Sequence, residues 1–244
     1  MSTYPELSAP VALVTGATSG IGREVARKLA ADGFAVLVHG RDAARGGAVA
    51  DEITAGGGQA RFIAADLTGV SEIERLADAA GDVDVLVNNA GFSWFGPTAG
   101  LPPDTFDRLF AANVRSAYYL VAAIAPRMAK RGTGSIINLG SMAGQIGLAG
   151  GAAYSATKAA LASLTRSWAA EFSPQGVRVN TVASGPAYTG GAAPERIEAL
   201  GATTLFARAA QPEEIADVVA FLASPRAGYI TGAVIAADGG RTAI

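Results

Sequence analysis

The sequence predicts an α/β fold in which a doubly wound, mostly parallel sheet of seven strands is flanked by helices. Short apolar runs alternate with amphipathic helical patterns along the chain, and this alternation is typical of βα units. The runs have the composition of strands that are buried on both faces. Half of the 244 residues are hydrophobic, which is ample for a single well-buried core.

Each element follows from its own local pattern. Apolar runs rich in Val, Ile, Leu and Ala predict strands at 11–15, 35–38, 60–64, 83–88, 135–139, 177–183 and 233–236. Apolar residues at helical spacing predict helices at 21–31, 43–55, 71–80, 104–130, 152–172 and 212–223. We therefore expect residues 1–244 to form one domain.

Three boundary segments carry further signals. Ser71 with Glu74 matches a capping box at the start of a helix. Pro212 followed by two glutamates suits a helical first turn, where proline loses no hydrogen bond and acidic side chains meet the helix dipole. Residues 185–207 are rich in Gly, Ala, Pro and Thr without a clear period, and we expect a flexible lid over a site there.

The composition excludes several classes of function. The formal net charge is −2 and no Lys/Arg run occurs, so neither nucleic acid nor an anionic membrane is an expected partner. The chain has no cysteine, and its one histidine, His39, lacks the neighbouring pattern of a triad, so no metal centre is expected. The first ten residues lack a signal-peptide pattern and no apolar run has membrane-spanning length, which favours a cytoplasmic location.

The first predicted strand runs directly into a glycine-rich turn, "TGATSGIGRE", with Gly16, Gly20 and Gly22 ahead of a helix. Glycines at such a turn let the backbone approach a pyrophosphate, whose charge the helix N-terminus favours. The spacing is G-x-x-x-G-x-G and not G-x-G-x-x-G, so the turn matches the general dinucleotide fingerprint in mechanism only. A tight turn that binds nothing is the alternative.

The end of the second predicted strand, "VLVHGRD", bears on which dinucleotide binds. An acid there would accept hydrogen bonds from the ribose 2′-OH of NAD, whereas an arginine accommodates the 2′-phosphate of NADP. Gly40 stands where the acid would be and Arg41 follows it, which favours NADP(H) over NAD(H). Asp42 lies two residues too late, and His39 is predicted to pack. An ordinary solvated charge is the alternative for Arg41.

Tyr154 and Lys158 are four residues apart in a run of good helix formers, so both project from one helical face. Only three of the 19 basic residues are lysines, which makes this placement notable. A nearby ammonium stabilises a phenolate, so Lys158 is expected to lower the pKa of Tyr154 toward useful acid/base work. When Tyr154 and Lys158 are considered alone, the alternative is a surface pair without function.

Taken together, these motifs resemble the short-chain dehydrogenase/reductase family over nearly the whole chain, in particular members similar to 3-oxoacyl-[acyl-carrier-protein] reductases. The matching positions are Thr15, Gly16, Gly20 and Gly22 in the turn, Asp66 in "AADLT", "NNAG" at 88–91, and then Asn113, Ser141, Tyr154 and Lys158 in order. The resemblance implies a single-domain Rossmann fold.

The resemblance also implies residue roles. Tyr154 is the expected general acid or base, Ser141 polarises the substrate oxygen, Lys158 also holds the nicotinamide ribose, and Asn113 anchors a water in the proton relay. The implied cofactor-binding positions are Gly16, Ser19, Gly20, Ile21, Gly22, Arg41, Asp66, Leu67, Asn89, Ala90, Gly91, Tyr154, Lys158, Gly185 and Thr189. A helix-kink residue, a strand-end turn and a helix cap are the alternatives for Asn113, Ser141 and Asp66.

One segment departs from the family pattern. "ASGPAYT" has Ser184 where the family commonly has proline, so a looser backbone is expected at the start of the lid, with Thr189 still reaching the cofactor. Trp94, Phe95 and Tyr188 are expected either to supply apolar surface near the nicotinamide or to be core and interface residues.

The predicted function is NADPH-dependent reduction of a ketone, or oxidation of a secondary alcohol, with a 3-oxoacyl or polyketide-type ketoreductase as one form of it. The alternatives are an NAD-dependent alcohol dehydrogenase of the same family and a non-catalytic NADP(H)-binding regulator. The resemblance further implies a homotetramer, or a homodimer, formed through 104–130, 152–172 and the C-terminal segment.

Overall fold

Seven parallel strands form the centre of the molecule. The computed structural model describes residues 9–244, and the first eight residues, which belong to the segment examined for a signal peptide, lie outside it. The strands are β1 (Val11–Val14), β2 (Ala35–Gly40), β3 (Gln59–Ala64), β4 (Val85–Asn88), β5 (Gly134–Ser141), β6 (Val177–Ser184) and β7 (Val234–Ala237).

Eight α-helices cover the two faces of the sheet within the described residues. They are α1 (Gly20–Ala31), α2 (Ala43–Ala55), α3 (Val70–Ala80), α4 (Pro103–Phe110), α5 (Ser116–Arg131), α6 (Ala152–Phe172), α7 (Pro194–Gly201) and α8 (Pro212–Ala223). The predicted helix at 104–130 is helical throughout, but a π-helical turn, Ala111–Arg115, lies within it and divides it into α4 and α5. π turns insert one extra residue per turn and are frequent at functional sites.

The strand order is β3-β2-β1-β4-β5-β6-β7, which confirms the doubly wound sheet. Leu13 of β1 lies opposite Leu37 of β2 on one side and Leu86 of β4 on the other. The direction of strand succession reverses between β1 and β4, and such a switch point leaves a crevice at the carboxyl ends of the strands.

Alternate residues of each strand enter two separate cores. Val14, with its neighbours on β2 and β4, packs against Leu29 of α1 and Val219 of α8. Leu13 packs on the opposite face, in the core that contains Leu120 of α5. Each such side chain, when fully buried, contributes roughly 1.5–3 kcal/mol. Because both faces are covered, the strands are apolar at successive positions, which is the pattern that predicted them.

Two predictions about helix starts have different outcomes. The capping box at Ser71 is wrong, because α3 begins one residue earlier and Gly69 occupies the N-cap position without a side-chain hydrogen bond. Pro212 is the first residue of α8, as predicted. There the Gln211 N–H donates to Glu214 Oε2 at 2.9 Å, so the acid satisfies a free amide at the helix start.

The lid, residues 185–207, is more ordered than the sequence predicts. It contains α7, so the prediction of a segment without regular structure is wrong over those eight residues. Its start is tied by two backbone hydrogen bonds, from Tyr188 N–H to the Ala210 carbonyl at 3.1 Å and from the Ala210 N–H to the Pro186 carbonyl at 2.9 Å. Its end is tied by the Phe206 N–H, which donates to the Gly239 carbonyl at 3.2 Å.

The predicted loosening at Ser184 is not found. Ser184 is the last residue of β6 and pairs with Ser141 of β5 on one side and Ala237 of β7 on the other. Its hydroxyl donates to the Gly185 carbonyl at 2.9 Å. Strand pairing on both sides therefore holds the backbone where the family proline would otherwise restrict it.

Candidate active site

A cavity of about 570 Å³ opens at the carboxyl edge of the sheet, between the turn after β1, the segment after β4, the end of β5, α6 and the lid. A second cavity, of about 550 Å³, adjoins it on the β2 and β3 side. The two share lining residues of the glycine turn and of the segment after β4, namely Gly16, Ser19, Ala90, Gly91 and Phe92. We call them the reaction cavity and the adenosine cavity.

The glycine turn lies at the junction of the two cavities. Gly16 and Gly20 have φ of +64° and +53°, the left-handed region that favours glycine. At Gly22 a Cβ would lie 2.3 Å from the Gly16 carbonyl oxygen and 2.3 Å from Asn89 Nδ2. Ser19 is the N-cap residue of α1, and its side chain makes no cap hydrogen bond. The turn therefore leaves a bare cradle at a helix N-terminus.

Thr15 and Asn89 join this turn to the segment after β4. Thr15 Oγ1 accepts hydrogen bonds from the N–H groups of Asn89 and Ala90, both at 3.0 Å. Asn89 Nδ2 donates to the carbonyl oxygens of Thr15, at 2.9 Å, and Gly16, at 3.0 Å. Although Asn89 lines the reaction cavity, its amide is thus used to hold the two sides of the switch point together.

His39 has a role that the sequence did not reveal. The Gly16 N–H donates to His39 Nδ1 at 3.3 Å, so Nδ1 is the acceptor and Nε2 carries the proton, which it directs at the Ala65 carbonyl 3.2 Å away. The ring is buried, and burial lowers its pKa to about 4. A neutral imidazole thus ties the glycine turn to the end of β3. Packing alone was predicted, because both partners are backbone groups distant in sequence.

The adenosine cavity contains the charged residues expected to select the dinucleotide. Arg41 lines it and makes no hydrogen bond or ion pair with any of residues 9–244. Asp42 caps α2 by accepting from the Arg45 N–H at 3.0 Å, and it pairs with the Arg45 guanidinium at 2.9 Å. Asp42 is therefore engaged elsewhere. Leu67 and two arginines that sequence reasoning missed, Arg45 of α2 and Arg108 of α4, also line this cavity.

Asp66 stands at the edge of the same cavity. Its Oδ1 accepts hydrogen bonds from the N–H and the hydroxyl of Thr68, at 3.0 and 2.9 Å. These bonds, with the nearby charges of Arg41 and Arg108, hold the pKa of Asp66 below its usual value against the opposing effect of burial. Asp66 does not cap α3, so the helix-cap alternative is wrong, and the carboxylate stays ionised beside the cavity.

Gly40 is constrained by Thr18. A Cβ at Gly40 would lie 2.4 Å from Thr18 Cγ2, well inside van der Waals contact. An acidic side chain at this position therefore requires Thr18 to move. This contact could not be predicted from local patterns, since it joins the end of β2 to the turn after β1.

Three of the four predicted catalytic residues line the reaction cavity together. Ser141 lies at the end of β5, and Tyr154 and Lys158 lie one turn apart on α6. Lys158 Nζ is 5.7 Å from the centre of the Tyr154 ring and donates to the Leu139 carbonyl at 2.7 Å. Lys158 is buried, and burial lowers its pKa to about 8, so the ammonium form prevails at neutral pH.

The expected direction of the Tyr154 pKa is wrong for this structure. Burial raises the pKa above its ordinary value, because the phenolate loses its hydration, and the interaction with the Ser141 hydroxyl opposes that rise. Lys158 Nζ lies 5.7 Å from the centre of the Tyr154 ring and donates to the Leu139 carbonyl, so burial outweighs its effect on the phenol here. The neutral phenol is therefore the resting form, which suits a proton donor.

Asn113, the fourth residue, is buried in the π turn and does not line the cavity. Its Oδ1 accepts from the Phe92 N–H at 2.9 Å, and its Nδ2 donates to the Phe92 carbonyl at 2.9 Å and to Thr157 Oγ1 at 3.1 Å. Thr157 in turn donates to the Tyr154 carbonyl at 2.7 Å. The Asn113 amide thus connects the segment after β4 to the turn of α6 that carries Tyr154.

The lid completes the reaction cavity. Gly185 and Thr189 both line it, and Thr189 lies against the glycine turn, with its Cβ 3.0 Å from where a Cβ on Gly20 would stand. Of the three aromatic candidates, Phe95 lines the cavity and packs on Tyr154 with ring centres 5.6 Å apart. Trp94 lines a separate apolar pocket, and Tyr188 lines neither.

The comparisons with known proteins agree with this geometry. A family model described as enoyl-(acyl carrier protein) reductase matches residues 16–242. The chain belongs to the short-chain dehydrogenase/reductase family. It is an oxidoreductase of that family, whose relatives are named as dehydrogenases and reductases of alcohol and ketone groups.

Three relatives show the spread of this dehydrogenase/reductase family. Galactitol 2-dehydrogenase (L-tagatose-forming) of Cereibacter sphaeroides is 38% identical, with 98% of each chain covered. A 3-oxoacyl-[acyl-carrier-protein] reductase of Synechocystis is 37% identical, covering 96% of this chain and 97% of the relative. The crystal structure of an angucycline C-6 ketoreductase with bound NADP is 35% identical, with 96% of each chain covered and a TM-score of 0.90.

The residues present fit the nicotinamide dinucleotide that such reductases use. The cradle at Gly16 and Gly22 is free of side chains, and it joins the reaction cavity to one with an unpaired arginine at its far end. The cofactor's phosphates would be held at the turn, and its nicotinamide ribose would be held by Tyr154 and Lys158. No helix among residues 9–244 is both long and apolar enough to cross a membrane.

Proposed function

We propose that this family member is an NADP(H)-dependent oxidoreductase that interconverts a ketone and a secondary alcohol. One observation carries the proposal. Ser141, Tyr154 and Lys158 line the same cavity as the glycine turn, so a proton donor, an oxygen-binding hydroxyl and an ammonium face the place where a dinucleotide would end.

The chain's own residues would manage the proton and the substrate oxygen. The bound nicotinamide supplies or accepts the hydride. In the reductive direction the Ser141 hydroxyl donates a hydrogen bond to the carbonyl oxygen, and the Tyr154 phenol transfers its proton to that oxygen as it gains negative charge. Lys158, an ammonium at neutral pH because its pKa is about 8, stabilises the phenolate left behind. The Asn113 amide is used by Phe92 and Thr157, so we propose that it positions the α6 turn that carries Tyr154, in place of the water contact that the resemblance implies.

NADP(H) is the proposed cofactor because of the charges in the adenosine cavity. Arg41 has no carboxylate partner among residues 9–244, and Gly40 places no acid at the strand end. Asp42 is engaged as a helix cap. A guanidinium that is free to bind an anion favours a 2′-phosphate. The related angucycline ketoreductase structure, with its bound NADP, supports the same assignment.

The cofactor proposal can be tested with a paired variant. Gly40→Asp alone would force its Cβ against Thr18, so its effect would mix specificity with strain. The Thr18→Ala/Gly40→Asp double variant relieves that contact, and Thr18→Ala is its control. We expect the NADPH/NADH ratio of kcat/KM to fall by roughly tenfold or more in the double variant, as the phosphate meets a carboxylate. An unchanged ratio would contradict the proposal that the end of β2 selects the cofactor.

The substrate class belongs to the same proposal. A 3-oxoacyl or polyketide-type ketone is supported by the names of the Synechocystis and angucycline relatives, and a polyol by that of the Cereibacter relative. Oxidation of NADPH against a panel of these ketones tests it. Tight NADPH binding without turnover on any ketone would favour a regulator instead.

Assembly and location are proposals of the same kind. We infer a homotetramer, or a homodimer, through α4, α5, α6 and the C-terminal segment, in a cytoplasmic setting. Sedimentation at micromolar concentration that shows only monomer would contradict the assembly.

A further inference from the structure

A lid arginine, Arg196, lies at the substrate side of the reaction cavity. It belongs to α7 and lines the cavity together with Phe95 and Tyr154. Its guanidinium carbon lies 4.5 Å from the centre of the Phe95 ring, and that ring lies 5.6 Å from the Tyr154 ring. The two steps together place the positive charge at most about 10 Å from the phenol ring centre.

The Arg196 guanidinium has no anionic partner. Within residues 9–244 it makes no ion pair and no hydrogen bond, and its contact is with the face of Phe95. Arg208, at the other end of the lid, contrasts with it, because two bonds of 2.7 Å join that guanidinium to Glu214. The donors of Arg196 are therefore available to a ligand, while those of Arg208 are used within the fold.

The charged residues that line the cavity indicate the sign of the charge that such a ligand carries. Lys158 and Arg196 are the charged residues among its lining, which holds no aspartate or glutamate. Lys158 is already committed to the proton step and the Leu139 carbonyl. The contact with Phe95 holds the Arg196 guanidinium over the ring, and its N–H donors, which have no partner among residues 9–244, form the fork that matches a carboxylate.

We propose that Arg196 binds a carboxylate on the same molecule as the reacting carbonyl, so that the preferred substrates are oxo acids, or hydroxy acids in the oxidative direction. This inference rests on the proposed function. A carrier-bound thioester, which is neutral near its carbonyl, gains nothing from this arginine. Phe95 is then a positioning residue, since one ring contacts both the carboxylate-binding guanidinium and the proton donor.

The test compares charged and neutral forms of one substrate. A series of unbranched oxo acids of increasing length, each with its methyl ester, is assayed with NADPH. We expect the best acid to exceed its ester in kcat/KM by roughly tenfold or more, since charge-assisted bonds are about twice as strong as neutral ones. Arg196→Ala should lower kcat/KM for the acid about tenfold more than for the ester, and Arg196→Lys should fall between.

Arg226→Ala is the matched control. That guanidinium also stacks on a phenylalanine, 5.6 Å from the centre of Phe221, but it lies outside the reaction cavity. It should leave the acid/ester ratio unchanged. A similar loss in Arg226→Ala would mean that removing any stacked arginine disturbs the fold, and the inference would fail.

Binding measurements separate this inference from the proposed function. Calorimetric titration of the NADP-loaded protein with the oxo acid should give heat in the wild type and a large loss of affinity in Arg196→Ala. If the acid fails to bind, the inference is overturned. It is also overturned if Arg196→Ala weakens the binding of NADPH and of the acid equally, because the arginine then serves the cofactor's phosphates. Acid binding through Arg196 without turnover would instead reject only the proposed function. Turnover of neutral ketones without acid preference would reject only the inference.

Discussion

The carboxyl edge of the sheet and the lid surround the same cavity, but they are held in different ways. At the edge, Thr15, His39, Asn89 and Asn113 each bond backbone groups of a second segment, and these contacts are partly buried. The lid, residues 185–207, is bonded mainly at its two ends, and most of α7 is exposed. Under the proposed function, the residues that manage the proton would be held by many cross-links, whereas those that contact the substrate would lie on a segment with few of them.

The largest expected effect is on kcat, when the proton donor is removed and the fold is kept. Tyr154→Phe keeps the ring that packs on Phe95 and deletes the hydroxyl. We expect kcat to fall about 10²–10⁴-fold, the usual contribution of a general acid, while NADPH still binds and the melting temperature is little changed. Steady-state kinetics and cofactor titration check this. Retained activity would show that the Tyr154 hydroxyl is not the proton donor.

Protonation of His39 should lower the folding stability of the protein as the pH falls. Its folded pKa of about 4 lies below the ordinary value of 6.5, mainly because the ring is buried. Between those values the unfolded chain binds the proton and the folded chain does not, so folding stability declines as the pH falls from 6.5 toward 4. The full difference is on the order of 3 kcal/mol, at about 1.4 kcal/mol per pKa unit.

Denaturant unfolding at several pH values measures that loss, and His39→Gln, which keeps a donor and an acceptor, should lack this component of it. Because His39 is the one histidine in the chain, its imidazole NMR signal can be assigned directly. A titration midpoint near 6.5 in the folded protein would contradict the buried neutral ring.

Adding a methyl group to a glycine should cost more stability in the glycine turn than in the lid. At Gly22 a Cβ would lie 2.3 Å from the Gly16 carbonyl, whereas at Gly191 the nearest atom, Thr189 Oγ1, is 3.5 Å away. We expect Gly22→Ala to cost about 2 kcal/mol of stability, within the range for overpacking, and Gly191→Ala to leave the melting temperature almost unchanged. Equal effects would mean that the turn relaxes as freely as the lid.

The smallest expected effect concerns the lid's own backbone. Ala207 has a φ of +51°, the left-handed region that is unfavourable for a residue with a Cβ. Ala207→Gly should raise stability by about 0.5 kcal/mol, because relief of the strain is partly offset by the greater freedom of glycine in the unfolded chain. A clear fall in the unfolding midpoint would show that the Ala207 side chain contributes contacts that outweigh the strain.

Much of the edge could be predicted from the sequence, because buried parallel strands and the Tyr154–Lys158 spacing are local patterns. The predicted strand at 35–38, for example, is β2 short of its last two residues. The placement of Ser141 and Tyr154 in one cavity follows from strand order, which the βα alternation implies.

The missed features depend on contacts between distant segments. The imidazole of His39 bonds two backbone groups, and the Gly40–Thr18 contact joins the end of β2 to the turn after β1. Neither has a period or spacing to detect. α7 was missed since it is only eight residues long and lies among Gly and Ala, and Arg196 could not be distinguished from other exposed charges until its place on Phe95 was known.

The way the lid is fastened also bears on how new specificities can arise. Its ends are fixed by backbone hydrogen bonds to Ala210 and Gly239, and these bonds do not depend on which side chains the lid carries. Substitutions at the exposed positions within 190–200 should therefore be tolerated at little cost in folding, whereas Ile197 is buried and a Cβ at Gly201 would lie 2.3 Å from the Ala209 amide nitrogen. A library randomised there would sample new substrates while most members still fold, so evolutionary drift in this segment can precede any change in chemistry.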